Sequence, residues 1–147
     1  MGESIPGDAG ACPLAALCAE AGDLIRRRRV AEERELHGES PRERIAAEST
    51  VSEITATLGH IARRASDFRP ASRDGAFLAI ALALAEAEVV AFGEEGRQGP
   101  ALRRLTRLLF ALRAYVEREG GARSEAAEAV ATYWMPDAMD PHRALAG

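Results

Sequence analysis

His60, in the run LGHIARR, is the residue whose type and position come nearest to chemistry in this chain. A helix-borne imidazole titrates near neutral pH and can relay a proton or take up a phosphoryl group. Measured against the apolar positions Leu58 and Ile61, His60 points about 120° away on a helical wheel, which makes it a surface residue, with Arg63 and Arg64 close behind it. A second candidate is an arginine face: Arg103, Arg104, Arg107 and Arg118 lie opposite the leucines of one later helix and could bind an anion or a partner. Each has a bland competitor, an ordinary exposed histidine and a solvated helix face. All nineteen basic residues are Arg, with no Lys and no Asn. Both missing types have A-rich codons, so a GC-rich coding sequence explains an arginine cluster without selection for binding.

Other patterns that carry catalysis fail on spacing. Glu86 and Glu88 sit about 200° apart around a helix and cannot form one acid/base pair. Glu88 falls near the Phe77 and Leu84 face, where a partner arginine is expected rather than catalysis, because an unpaired buried charge is costly. No Glu-x-x-His occurs for a carboxylate-bridged metal pair. Cys12 and Cys18 are separated by five residues, which fits neither a redox pair nor a zinc half-site. The glycines of GEEGRQGP lack the Gly-Lys-Ser/Thr of a phosphate loop and follow a helix instead of a strand. No catalytic residue, metal or cofactor is expected, and the chain reads as a non-enzymatic protein.

The exposed mid-helix His60 with Arg63 and Arg64 resembles histidine phosphotransfer domains, and the resemblance implies a relay bundle or a small-ligand site as the alternative function. This chain departs from that pattern. Its glycine is Gly59, before the histidine, and the Lys-Gly expected after the histidine is missing.

The elements that must position these residues are helices. The chain has 147 residues, 47% of them apolar and 29% charged, which is enough for one globular domain with a core of Leu, Ile, Val and Ala. Residues 1–12 have no apolar period and read as a flexible arm, residues 13–134 as a single bundle, and residues 135–147 as an extended tail. Helix one starts at Pro13 with the stripe Leu14, Leu17, Cys18, Ala21 and Ile25. HGESPRER marks the next start: Gly38 ends one helix, Ser40 caps another, Pro41 takes the first position and Glu43 completes a capping box. From there Ala47, Val51, Ile54, Leu58, Ile61, Ala65 and Phe68 alternate by four and three, a heptad seam. The β-branched run STVSEITAT allows a break near Ser49. Ser72 caps a third helix, Pro100 opens a fourth with the stripe Leu102, Leu105, Leu109, Leu112 and Val116, and Ser124 caps a short fifth that ends near Trp134. The predicted fold is all-α, an antiparallel four-helix bundle with a short fifth C-terminal helix and an extended tail.

The stretches RPASRDGAFLAIALA, LRRLTRLLFALRAYVEREGG and YWMPDAMDPH together resemble the back half of small helical bacterial proteins of unknown function. The likeness covers about residues 68–142, leaves helix one unmatched, and implies a fold and no mechanism.

The third helix raises the functional expectation. AFLAIALALAEAEVVAF carries no charge before Glu86, and a helix needs about 20 apolar residues to span a membrane, so a buried core helix is expected. Leu78, Leu82, Val89 and Phe92 form one large apolar face, Phe77, Ile80 and Leu84 form another, and Ala79, Ala83 and Ala87 a row of small residues. A bundle helix needs only one such face. We therefore expect a homodimer whose interface draws on Phe77, Leu78, Ala79, Ala83, Ala87 and Trp134, acting as an interaction or regulatory protein. MGESIPGDAGA has neither the basic nor the apolar region of a signal peptide, which points to a cytoplasmic setting. The net charge of −4 gives no bulk attraction to nucleic acid or to anionic membrane, and neither is expected as a partner.

Overall fold

A computed structural model of the chain describes residues 12–121 and 124–143. The described residues form five α-helices and one 3-10 turn, without strands: α1 (Pro13–His37), α2 (Pro41–Ala65), α3 (Arg73–Phe92), α4 (Gln98–Gly120), α5 (Glu125–Trp134) and η1 (Asp137–Met139). The arm expected over residues 1–12 lies outside the described residues except for Cys12. Two antiparallel hairpins, α1/α2 and α3/α4, make up the bundle, and α1 packs on α3 to join them.

Local chemistry sets the helix ends. Ser40 Oγ accepts from the Glu43 amide at 3.2 Å, while the Glu43 carboxylate accepts from the Glu39 amide at 3.0 Å, one residue earlier than a strict capping box. The chain turns at Gly38, where an added Cβ would lie 2.6 Å from the Arg34 carbonyl oxygen, so only glycine fits. No break occurs near Ser49. Thr50, Thr55 and Thr57 donate their hydroxyls to the carbonyls of Ala46, Val51 and Glu53 one turn back, which absorbs the polar β-branched run into one continuous helix. Ser72 caps α3 through the Gly75 amide at 3.0 Å. Helix α4 begins at Gln98, two residues before Pro100.

The core divides between the hairpins. Leu14, Leu17, Ala21 and Leu24 of α1 meet Ile54, Ile61 and Ala65 of α2 and Leu78 of α3, with Cys18, Leu58 and Phe68 packed around them. The heptad seam of α2 thus faces inward along its whole length. On α1, Leu24 takes the place expected for Ile25, which is exposed, and the buried face continues past the arginines to Ala31. A straight helix turns 3.6 residues at a time, so its buried stripe drifts off any fixed 3–4 spacing.

The second core is built from small residues. Ala79 and Ala83 of α3 enclose Leu108 of α4, and Leu82, Leu105 and Leu112 flank them. This packing corrects the expected stripe of α4. Leu102, Leu109 and Val116 are exposed by 52%, 44% and 65%, while Ala101, Leu108, Phe110 and Ala111 are buried. The two small alanines of α3 let the backbones approach closely around Leu108, and that fit turns Leu102, Leu109 and Val116 outward.

Candidate functional site

Helix α4 holds the other elements through its arginines. Arg104 grips Glu86 with two bonds, Nε to Oε1 at 2.6 Å and Nη2 to Oε2 at 3.0 Å. Glu86 is buried, so this planar pair neutralises a charge inside the α3/α4 hairpin. Glu88, the residue expected to be semi-buried against an arginine, is exposed instead. Two residues along a helix reverse the facing, and close packing at Ala79 and Ala83 directs Glu86 inward.

Arg107 Nη1 reaches Asp67 at 3.0 Å and Arg118 Nη2 donates to the Pro70 carbonyl at 2.9 Å, tying α4 to the link between α2 and α3. The expected arginine face is therefore largely an internal brace. Arg103 alone of the four is exposed without an ion pair among the described residues. Arg63, Arg103, Arg104 and Arg107 do line one open cleft of about 240 Å³, but Asp67 and Glu86 already balance two of them. His60 is exposed, as expected, and its Nδ1 lies 2.8 Å from Arg63 Nη2; Arg64 is exposed nearby.

Sequence reasoning did not single out Arg113, the centre of the best-connected polar cluster. Its Nε donates to Glu117 at 2.8 Å, its Nη2 to Asp137 at 2.5 Å, and its Nη1 to the Met135 carbonyl, and the guanidinium lies over the Phe110 ring at 5.8 Å. The bond from Glu117, and then that from Asp137, raise its pKa against the opposing effect of burial, so it stays charged. Around it the tail folds back on the bundle: Arg69 bonds Asp140 at 3.3 Å and His142 Nε2 lies 3.0 Å from the Arg107 carbonyl oxygen. Residues 135–143 are thus not the extended run expected: they contain the short turn η1, and Met135, Asp137 and His142 bond to Arg113 and Arg107 of α4. The only advance signal for this was the proline-bearing run YWMPDAMDPH; the Trp134 side chain lies outside the described residues.

Away from α1 and the α2–α3 link, and bordered on α4 by the Arg113 cluster, lies an uncovered apolar surface. On α3, Phe77, Ile80 and Leu84 are exposed by 70%, 55% and 65%. Leu78, Ala79 and Ala83, three of the expected interface residues, are buried within the chain and cannot meet a partner; Ala87 is half-buried. Phe92, expected on the Leu78 face, is 89% exposed at the last position of α3. On α4, Leu102, Leu109 and Val116 are spaced by seven and fall about 100° around the helix from Leu108. In an antiparallel pair that direction coincides with the one taken by Ile80 and Leu84, because both turn away from α1 and the α2–α3 link. The two stripes make one continuous face. Helix α3 is long and apolar enough to cross a membrane by length and composition, with a mean hydropathy of 2.0 over its apolar stretch, of which a third is buried within the protein.

No family model matches the chain, and no curated protein or solved structure matches it either. Among the described residues, no group of three or more His, Cys, Asp or Glu is placed to hold a metal ion.

Proposed function

We propose that this chain is a non-enzymatic interaction protein, and that it works as a homodimer through the α3/α4 face. The observation that carries the reading is the exposure of Phe77, Ile80, Leu84, Leu102, Leu109 and Val116 on one side of a hairpin whose other side is packed and ion-paired. Single exposed apolar residues are ordinary on a protein surface, but a continuous apolar face marks a docking site. The tail, the other candidate cover, is engaged on Arg107, Phe110 and Arg113 at the border of the α4 stripe, and it leaves Leu109 and Val116 exposed. A relay or anion-binding role for His60 and the arginine cleft is the weaker reading, since salt bridges within the chain already satisfy half of that cleft's arginines.

Light scattering after size exclusion at micromolar concentration tests this. We expect about twice the 15.7 kDa chain mass for the wild type. Leu84→Glu places a charge on the face at a position whose side chain contributes little to the monomer's own core, and we expect the single-chain mass with unchanged helicity. A wild-type protein that stays at 15.7 kDa contradicts the reading.

A further inference from the structure

The α3/α4 face has an internal symmetry. Along the exposed side of α3 the order is Arg73, Phe77, Ile80, Ala81, Leu84, Glu88, all six exposed. Read from either end towards the midpoint between Ile80 and Ala81, it runs charge, large apolar residue, apolar residue, with opposite charges at the two ends. Neither Arg73 nor Glu88 has an ion pair among the described residues. On α4 the exposed stripe Leu102, Leu109 and Val116 is symmetric about Leu109.

These two midpoints lie at the same height. Glu86 bonds Arg104, and Leu108 sits between Ala79 and Ala83, so the hairpin register places the Ile80–Ala81 step level with Leu109. One two-fold axis, running across both helices at that height, therefore serves both stripes. From this coincidence, and resting on the interaction reading above, we infer that the occupant of the face is a second copy of this chain, its α3 antiparallel on α3 and its α4 antiparallel on α4. In that arrangement Arg73 of each protomer is level with Glu88 of the other, Phe77 faces Leu84, Leu102 faces Val116, and Ile80, Ala81 and Leu109 each lie against their own counterparts across the axis. A closed, isologous dimer is what a self-complementary patch produces.

Size and charge fit this occupant. From Arg73 to Glu88 the face is about 22 Å long at 1.5 Å per residue, and two helices spaced by about 9 Å give it a comparable width. That is a flat footprint of about 400 Å², to which the relief of the side chains adds, and it places the interface at the small end of the range for specific dimers, where about 800 Å² per partner is standard. A lipid surface fits less well. The carboxylate of Glu88 stands in the apolar stripe and Glu94 and Glu95 follow its C-terminal end, all exposed, and acidic groups are repelled by anionic headgroups and costly to bury in hydrocarbon.

Charge reversal tests the register separately from dimerisation. In sedimentation equilibrium, Arg73→Glu and Glu88→Arg should each weaken the dimer by about tenfold or more, because each sets two like-charge pairs across the axis. An equimolar mixture of the two variants should recover wild-type affinity, since the heterodimer restores an Arg–Glu pair at both contacts. Both residues are exposed, so circular dichroism should show native helicity for each variant. Single variants that dimerise like the wild type, while Leu84→Glu is monomeric, overturn the register and leave the dimer. A mixture no tighter than its components overturns it as well. A wild-type chain that is monomeric at every concentration overturns both, and one that is monomeric yet co-sediments with phosphatidylcholine/phosphatidylserine vesicles assigns the face to a membrane.

Discussion

Cys12 shows how a residue with an unremarkable spacing acquires a distinct environment. It sits at the start of α1, and its sulfur accepts the Ala71 amide at 3.3 Å, from the link that leads into α3. Burial pushes the thiol's pKa up, but the Ser72 hydroxyl and the Ala71 amide, joined by the amides of Ala15 and Leu14, lower it by more, and the net shift is downward. The thiolate fraction near neutral pH is raised accordingly. Both cysteines are half-buried against the same core, so the hydrogen bonds to Cys12 make the difference, and iodoacetamide at pH 7.5 should label Cys12 faster than Cys18; peptide mapping at partial modification reads the ratio. Equal rates, or a faster Cys18, contradict it. A depressed folded pKa also fixes the sign of the stability effect. The thiolate's contribution is fully present above the ordinary thiol value of about 8.5 and is lost as pH falls through the folded pKa. Neither effect could be read from the sequence, because Ala71 and Ser72 reach Cys12 only through the packing of α1 on α3.

At the scale of elements, what was legible depended on whether one signal acted alone. The Ser40-Pro41-Glu43 run and the Ser72 cap placed helix starts correctly, since a cap is satisfied by neighbours within three residues. The α2 seam was legible as well, because from Val51 onwards its large apolar residues lie on one side only; Ile45, in the first turns, is exposed off the seam. Helix α4 was not: it has two competing apolar stripes, and the buried one is chosen by Ala79 and Ala83 on another helix. Weighing residues by hydrophobicity favours the leucine-rich stripe, whereas close packing favours the alanine-flanked Leu108. The candidate site followed the same division. Exposure of His60 was foreseeable from its offset to Leu58 and Ile61, but the Arg113 cluster needed partners on α4 and the tail brought together by the fold.

The joint between the hairpins is an element-scale contact that can be tested. Gly75, in the first turn of α3, faces the first turn of α1, and a Cβ there would lie 2.9 Å from Leu14 Cβ and 3.1 Å from Cys12 Sγ. Leu14 is fully buried and has no room to retreat. Alanine is the better helix former by up to about 1 kcal/mol, but overpacking a core costs about 1 to 3 kcal/mol. Gly75→Ala should therefore lower the unfolding free energy in urea by about 1 to 2 kcal/mol. An unchanged or higher stability would mean that α1 and α3 can part at their starts without loss.

The whole molecule is lopsided. One flank of the α3/α4 hairpin carries α1 and the α2–α3 link, the latter held by Arg107 and Arg118, the tail is fastened to Arg113 at the outer edge of α4, and the remaining flank carries six large apolar side chains facing outward. Burying a Leu, Ile or Phe contributes about 1.5 to 3 kcal/mol, and a domain's net stability is only about 5 to 15 kcal/mol, so covering that flank would supply a large share of the total. Association through it makes folding and dimerisation linked equilibria, in which stability depends on protomer concentration. The thermal midpoint of the wild type should rise by several degrees between about 1 µM and 100 µM, because a hundredfold change in concentration shifts a linked equilibrium by about 2.7 kcal/mol. Leu84→Glu should show a lower midpoint that does not move with concentration. The mixture of Arg73→Glu and Glu88→Arg should regain the wild-type dependence that each variant has lost alone. A wild-type midpoint that is constant over this range contradicts the linkage, because a dimer dissociating within it must transmit its binding energy to the melt.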